Sequence, residues 1–181
     1  MNKHLLPLAV ISCLISSCET ATPENYFDRA VLNCNLMHGF AGPGMERQLK
    51  EPSVKLAPGG GSQTVRMTRK EVVDGQLLSI EEAYGKVKKL KETDETRGML
   101  QASRALYDYV LPVYRNEYQQ LAKLYDSGAA ANEIAALQQS IQAKYAPGFQ
   151  SRMDALTAAA KPFAEHHGIN VKWDVRTSPA E

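Results

Sequence analysis

The 181-residue chain predicts a mainly α fold: an antiparallel helical bundle over about residues 80–167, with an N-terminal helix and a small β-hairpin and edge-strand element. Three observations predict it. Apolar residues recur at helical spacing from Ile80 to Phe163, as in Ile134, Leu137, Ile141 and Tyr145. The breaks between these runs are short, as at Asp126-Ser127-Gly128, so successive helices are antiparallel neighbours. Turn-forming glycine and proline gather outside the bundle, in GFAGPG and APGGGS of residues 39–63. Hydrophobic residues make up 44% and charged residues 23%, which is enough apolar material for one packed core.

The N-terminus reads as a segment apart from that core. Lys3 precedes an apolar run of 11 residues, Leu5 to Ile15, too short to span a bilayer as a helix but within the length of a signal-peptide core. Ser16 and Ser17 then lead into Cys18. The tetrad Ile15-Ser16-Ser17-Cys18 resembles the lipobox of bacterial lipoproteins. That resemblance covers residues 1–18 only. It implies a signal peptide over residues 1–17 and diacylglyceryl transfer to the Cys18 thiol. The multiply acylated cysteine then forms the new N-terminus and gives stable membrane attachment. Val10-Ile11-Ser12-Cys13 fits more loosely, and cleavage there would strand Leu14 and Ile15 in the mature chain. Glu19 rather than aspartate after the cysteine favours the outer membrane, facing the periplasm.

Residues 18–22 are then a tether, and residues 23–181 a single helical domain. Thr22-Pro23 is a helix start, with threonine at the cap and proline at the first helical position. A helix over residues 23–38 places Phe27, Val31, Cys34 and His38 on one face, and Gly39 ends it. Residues 39–63 read as a long Gly/Pro-rich loop within the domain. Asp74-Gly75, between Val72-Val73 and Leu77-Leu78, predicts a β-hairpin. Ser79 and Glu82 form a capping box for a helix that carries Ile80, Tyr84 and Val87 on one face. A second bundle helix spans residues 94–125, kinked at Pro112. A third covers residues 130–145, and a fourth starts at Pro147 and ends at Gly168. The tail INVKWDV alternates like an edge strand and would pair with residues 64–68 or with the hairpin.

Two sets of side chains carry candidate chemistry. Tyr107, Tyr114, Tyr118 and Tyr125 are spaced by 7, 4 and 7 residues and fall on one helix face with Leu100, Leu111 and Leu121. That stripe is either bundle core or the lining of a groove that grips an apolar ligand or a partner, with hydroxyls to orient it. The second set is metal-ligating. Cys34 and His38 lie one helical turn apart, and His166 or His167 would complete a Cys-His-His site. Met37, His38 and Met45 form a softer, copper-type set. The segment CNLMH resembles the haem-attachment motif C-x-x-C-H, but Met37 stands where the second cysteine belongs.

Other classes are disfavoured. Removing residues 1–17 takes Lys+Arg from 21 to 20 against 20 Asp+Glu, so the mature chain is near neutral and carries no electrostatic footprint for nucleic acid. PGGGSQT lacks the lysine of a P-loop and the final glycine of a nucleophile elbow, and reads as a linker. The lysines of KVKKLKETDE are offset by the acids beside them and read as a solvated face. No segment combines a nucleophile, a base and an orienting group. The expectation is a lipid-anchored, non-catalytic envelope protein without a cofactor that binds a protein partner, of the immunity or inhibitor type, or a small apolar ligand. The alternative is a metal-binding envelope protein or metalloenzyme.

Overall fold

A computed structural model describes residues 21–59 and 61–173. Cys18, and with it the signal peptide and most of the tether, lies outside the described residues. The fold is mainly α, with one two-stranded antiparallel sheet.

Helix α1 (Pro23–Ala30) begins as predicted: Thr22 Oγ1 accepts from the Asn25 N–H at 3.3 Å, and Pro23 occupies the first turn. It buries Tyr26, Phe27 and Ala30. The helix does not continue to residue 38. From Leu32 to Met37 it tightens into a 3₁₀ segment. With three residues per turn, the inward positions fall at Cys34 and Met37, and His38 is turned out to solvent.

The long loop expected over residues 39–63 is corrected in two places. Helix α2 (Pro43–Lys50) lies inside it and buries Met45 and Leu49, one turn apart. The turn before α2 is held by a backbone contact: a Cβ on Gly39 would lie 2.8 Å from Gly44 Cα, and Gly39 has a φ of 86°. Strands β1 (Val54–Leu56) and β2 (Thr64–Arg66) then form the hairpin, with Val54, Lys55 and Leu56 opposite Arg66, Val65 and Thr64. The Gly-rich stretch is therefore the hairpin's loop.

The hairpin expected at Asp74-Gly75 is absent, because both residues lie inside α3 (Arg69–Lys88). Thr68 and Glu71 make the capping box that starts this helix, with the Thr68 N–H donating to Glu71 Oε2 at 2.9 Å. The Asp126 carboxylate also accepts from the N–H groups of Arg69 and Lys70, at 2.9 Å each. Ser79, predicted as a cap, is mid-helix and donates to the Gly75 carbonyl at 3.0 Å. Asp74 instead pairs with Lys70, one turn away, at 2.5 Å. A Cβ on Gly75 would meet nothing within 4 Å. Gly75→Ala is thus expected to stabilise the fold by about 0.5–1 kcal/mol, read by urea denaturation. A glycine in a hairpin turn would give the opposite sign.

Helices α4 (Arg97–Val113) and α5 (Gln119–Asp126) form the predicted second bundle helix, joined without a break by a π-helical turn, Tyr114–Tyr118. The turn follows directly on Pro112, which cannot donate to the ladder. Helix α6 (Ala131–His166) replaces the predicted third and fourth helices and runs through Pro147 and Pro162. Pro147 is exposed, and in the turn around it the Tyr109 hydroxyl donates to the Tyr145 carbonyl at 3.1 Å. The Arg152 guanidinium reaches the Gly148 carbonyl at 2.9 Å. A proline therefore interrupts one bond there without ending the helix.

Helix α4 packs between α3 and α6, and α5 packs against the same two helices. The tail does alternate, with Ile169, Val171 and Trp173 half-buried and Asn170 and Lys172 exposed. Its described part, however, packs on the helices and pairs with no strand. Trp173 meets Phe27 edge to face, ring centroids 5.8 Å apart.

Candidate functional site

The tyrosine stripe faces inward. Tyr107, Tyr114 and Tyr118 are buried together with Leu100, Leu111 and Leu121, while Tyr125 is half-buried. Phe40, from the turn before α2, closes the stripe. Its ring lies 6.0 Å from both Tyr114 and Tyr118 and 5.0 Å from Phe149 of α6. The Tyr118 hydroxyl accepts from the buried Ala41 N–H at 2.8 Å, and Gln138 Nε2 donates to the Tyr125 hydroxyl at 3.1 Å. The cavity beside Tyr118, Met45, Leu121 and Ile141 holds about 20 Å³. That is room for about one water and far below a ligand pocket of roughly 300 Å³ or more. The groove reading thus has no space behind it, and the stripe serves as core.

Burial of these hydroxyls disfavours their charged forms. It pushes Tyr118 up to about 12 and holds Tyr107 and Tyr114 well above the usual tyrosine range.

Cys34 is corrected as a metal ligand. Its thiol is buried, donates to the Ala30 carbonyl at 3.4 Å and lies against the hydroxyls of Ser103 and Tyr107. Apart from this soft sulfur, those two buried hydroxyls have no partner. Burial pushes the thiol up to about 12, so it is an inert core group. His38 is exposed on the far side of the 3₁₀ segment from Cys34 and Met37, and Met45 is buried. The copper-type set therefore does not face a common point.

His166 and His167 do converge with a third donor, Glu95, which the sequence reading missed. His166 ends α6, and His167 caps it with its N–H on the Phe163 carbonyl. Gly168, with φ of 63°, turns the chain away. Glu95 sits in the α3–α4 connection, where Thr93 and Thr96 hold each other. The Thr93 N–H donates to Thr96 Oγ1 at 2.9 Å, and the Thr96 N–H donates to Thr93 Oγ1 at 3.2 Å. Glu95 Oε1 lies 2.6 Å from His166 Nδ1 and 2.7 Å from His167 Nε2. The hydrogen bond with His166, reinforced by His167, holds the Glu95 carboxyl below the usual range. Among the described residues this is the only group of three metal-capable side chains, and it excludes Cys34 and His38. A glutamate 71 residues away in sequence gives no spacing signal to read.

The surface carries one apolar feature on the hairpin. Cross-strand neighbours share a face, so Val54 and Leu56 lie with Arg66 and Thr64, and Val65 lies with Lys55 on the other side. Lys55 pairs with Glu71 of α3, which turns the Val65 face toward the helix and the Val54–Leu56 face away. The exposures agree: Val54 58%, Leu56 67% and Val65 39%. Between the hairpin's base, the end of α2 and α3 runs a groove of about 330 Å³, lined among others by Gln48, Ser53, Met67, Val72 and Gln76.

Among the described residues, no helix is long and apolar enough to cross a membrane. No protein-family model, curated protein or solved structure matches the chain.

Proposed function

We propose that the protein is a lipid-anchored interaction module of the bacterial cell envelope. It is held through Cys18 at the outer membrane, facing the periplasm, and engages a protein partner through the β1–β2 hairpin and the groove beside it. One observation carries the choice of partner over small ligand. The tyrosine core is filled, while Val54 and Leu56 stand exposed on a two-stranded sheet beside a groove of about 330 Å³. An apolar side chain on a short strand gains nothing from water, and such a patch rimmed by polar groups marks a protein contact. A sheet with open edges also offers main-chain N–H and C=O groups to an added strand. The role is binding, of the kind an inhibitor or immunity protein performs.

Two measurements address the two halves of this reading. Cys18→Ala is expected to abolish acyl labelling and move the protein wholly out of the detergent phase. Unchanged partitioning would refute the anchor. For the partner, photo-cross-linking from Leu56 in intact cells should give a discrete protein adduct that Val54→Asp removes. Adducts no different from those at any exposed position would refute the docking face.

A further inference from the structure

We propose that Glu95, His166 and His167 bind a divalent first-row transition-metal ion of the zinc class, through the Glu95 carboxylate, His166 Nδ1 and His167 Nε2. The three donor atoms all lie within 4.8 Å of one another. An ion held at about 2.0–2.2 Å from each donor sets donors roughly 3–3.5 Å apart, a spacing that small side-chain rotations supply here. The donor set selects the metal. Two imidazoles and one carboxylate suit zinc, nickel, copper or ferrous iron, whereas calcium and magnesium require oxygen ligands throughout.

The backbone under the donors is fixed from both sides. The Thr93–Thr96 pair holds the turn that carries Glu95, and Thr96 is itself buried. His167 is packed on Phe163, ring centroids 4.5 Å apart, which limits its rotamers. The negative end of the α6 dipole adds a field that favours a cation there. Three protein ligands leave at least one coordination position open, and His166, 73% exposed, puts that opening toward solvent. The ion would clasp the α3–α4 turn to the end of α6. This site is independent of the hairpin and of the anchor.

The test uses the full-length protein in detergent, without a histidine tag, stripped by chelator and titrated calorimetrically with zinc chloride in excess magnesium. One zinc per chain is expected. Glu95→Gln and His167→Ala should each weaken binding by at least about tenfold, while His38→Ala leaves it unchanged. Circular dichroism of each variant checks that the fold is kept. Cobalt added to the unaltered protein should give the visible absorption of an imidazole-ligated ion. The proposal is overturned if no saturable binding appears, if cobalt gives only its aqueous spectrum, or if stoichiometric zinc binding survives both substitutions. It is equally overturned if magnesium displaces zinc. The two histidines would then merely share the Glu95 oxygen as a hydrogen-bond acceptor.

Discussion

Phe40→Ala is expected to lower the unfolding free energy by about 3–5 kcal/mol, a large share of the roughly 5–15 kcal/mol that holds a domain of this size. Phe40 is 4% exposed and packs against aromatic rings from three elements: Tyr109 of α4, Tyr114 and Tyr118 of the π turn, and Phe149 of α6. Removing the ring leaves a cavity that rigid neighbours cannot fill. It also loosens the turn whose Ala41 N–H donates to the Tyr118 hydroxyl, and a buried amide left without its acceptor costs about 1–3 kcal/mol more. The melting temperature should fall by about 10 °C or more. In urea the midpoint should fall with the slope unchanged. Leu36→Ala, four residues earlier and 39% exposed, should change stability by well under half as much. A neutral Phe40→Ala would mean that residues 39–50 are a surface loop after all.

Alkaline pH should unfold the protein steeply, and the buried tyrosines set the window. Their folded-state pKa values lie above the unfolded value of about 10, because burial penalises the phenolate. Their stabilising contribution is therefore complete below about pH 10 and is lost as pH rises towards the folded values. Each such group removes about 1.4 kcal/mol per pH unit in that window, so Tyr107, Tyr114 and Tyr118 together remove about 4 kcal/mol per unit. Cys34 acts in the same sense from about pH 8.5–9 upward, since its folded thiol stands at about 12. Tyrosinate absorbance and far-ultraviolet dichroism, followed together, should show at least three of the eight tyrosines ionising only as the helices are lost. All eight titrating near pH 10 with helicity intact would contradict a closed core.

The helices were legible where one force acts alone. Ile134, Leu137 and Ile141 repeat at helical spacing because α6 has a single apolar face, and Thr22-Pro23 states its own cap. Misreadings arose where local signals competed with packing. Asp74-Gly75 is a strong turn pair in isolation. Lys70 and the capping box at Thr68–Glu71 outweigh it, and Gly75 costs the helix only its propensity. Pro147 marks a helix boundary by rule, yet it sits exposed and its turn is held by Tyr109 and Arg152 from the side. The helix α2 was hidden by three glycines and two prolines near Met45 and Leu49, though Pro43 at its first turn was a readable start. Of the candidate sites, the tyrosine spacing correctly located a shared face but could not say that Phe40 covers it. The sequence joined His166 or His167 to Cys34 and His38, whereas the fold brings both histidines to Glu95, a partner that no spacing marks.

The central claim is that this protein works from its surface, through the hairpin, and not from an internal pocket. Photo-cross-linking in intact cells tests it most directly, with the reactive group placed at Leu56 and, as the comparison, at Asp154, exposed on α6. The account predicts a discrete protein adduct from Leu56 that is lost with Val54→Asp and is not formed from Asp154. The same adducts from both positions, or none from Leu56 while Asp154 yields one, would contradict it.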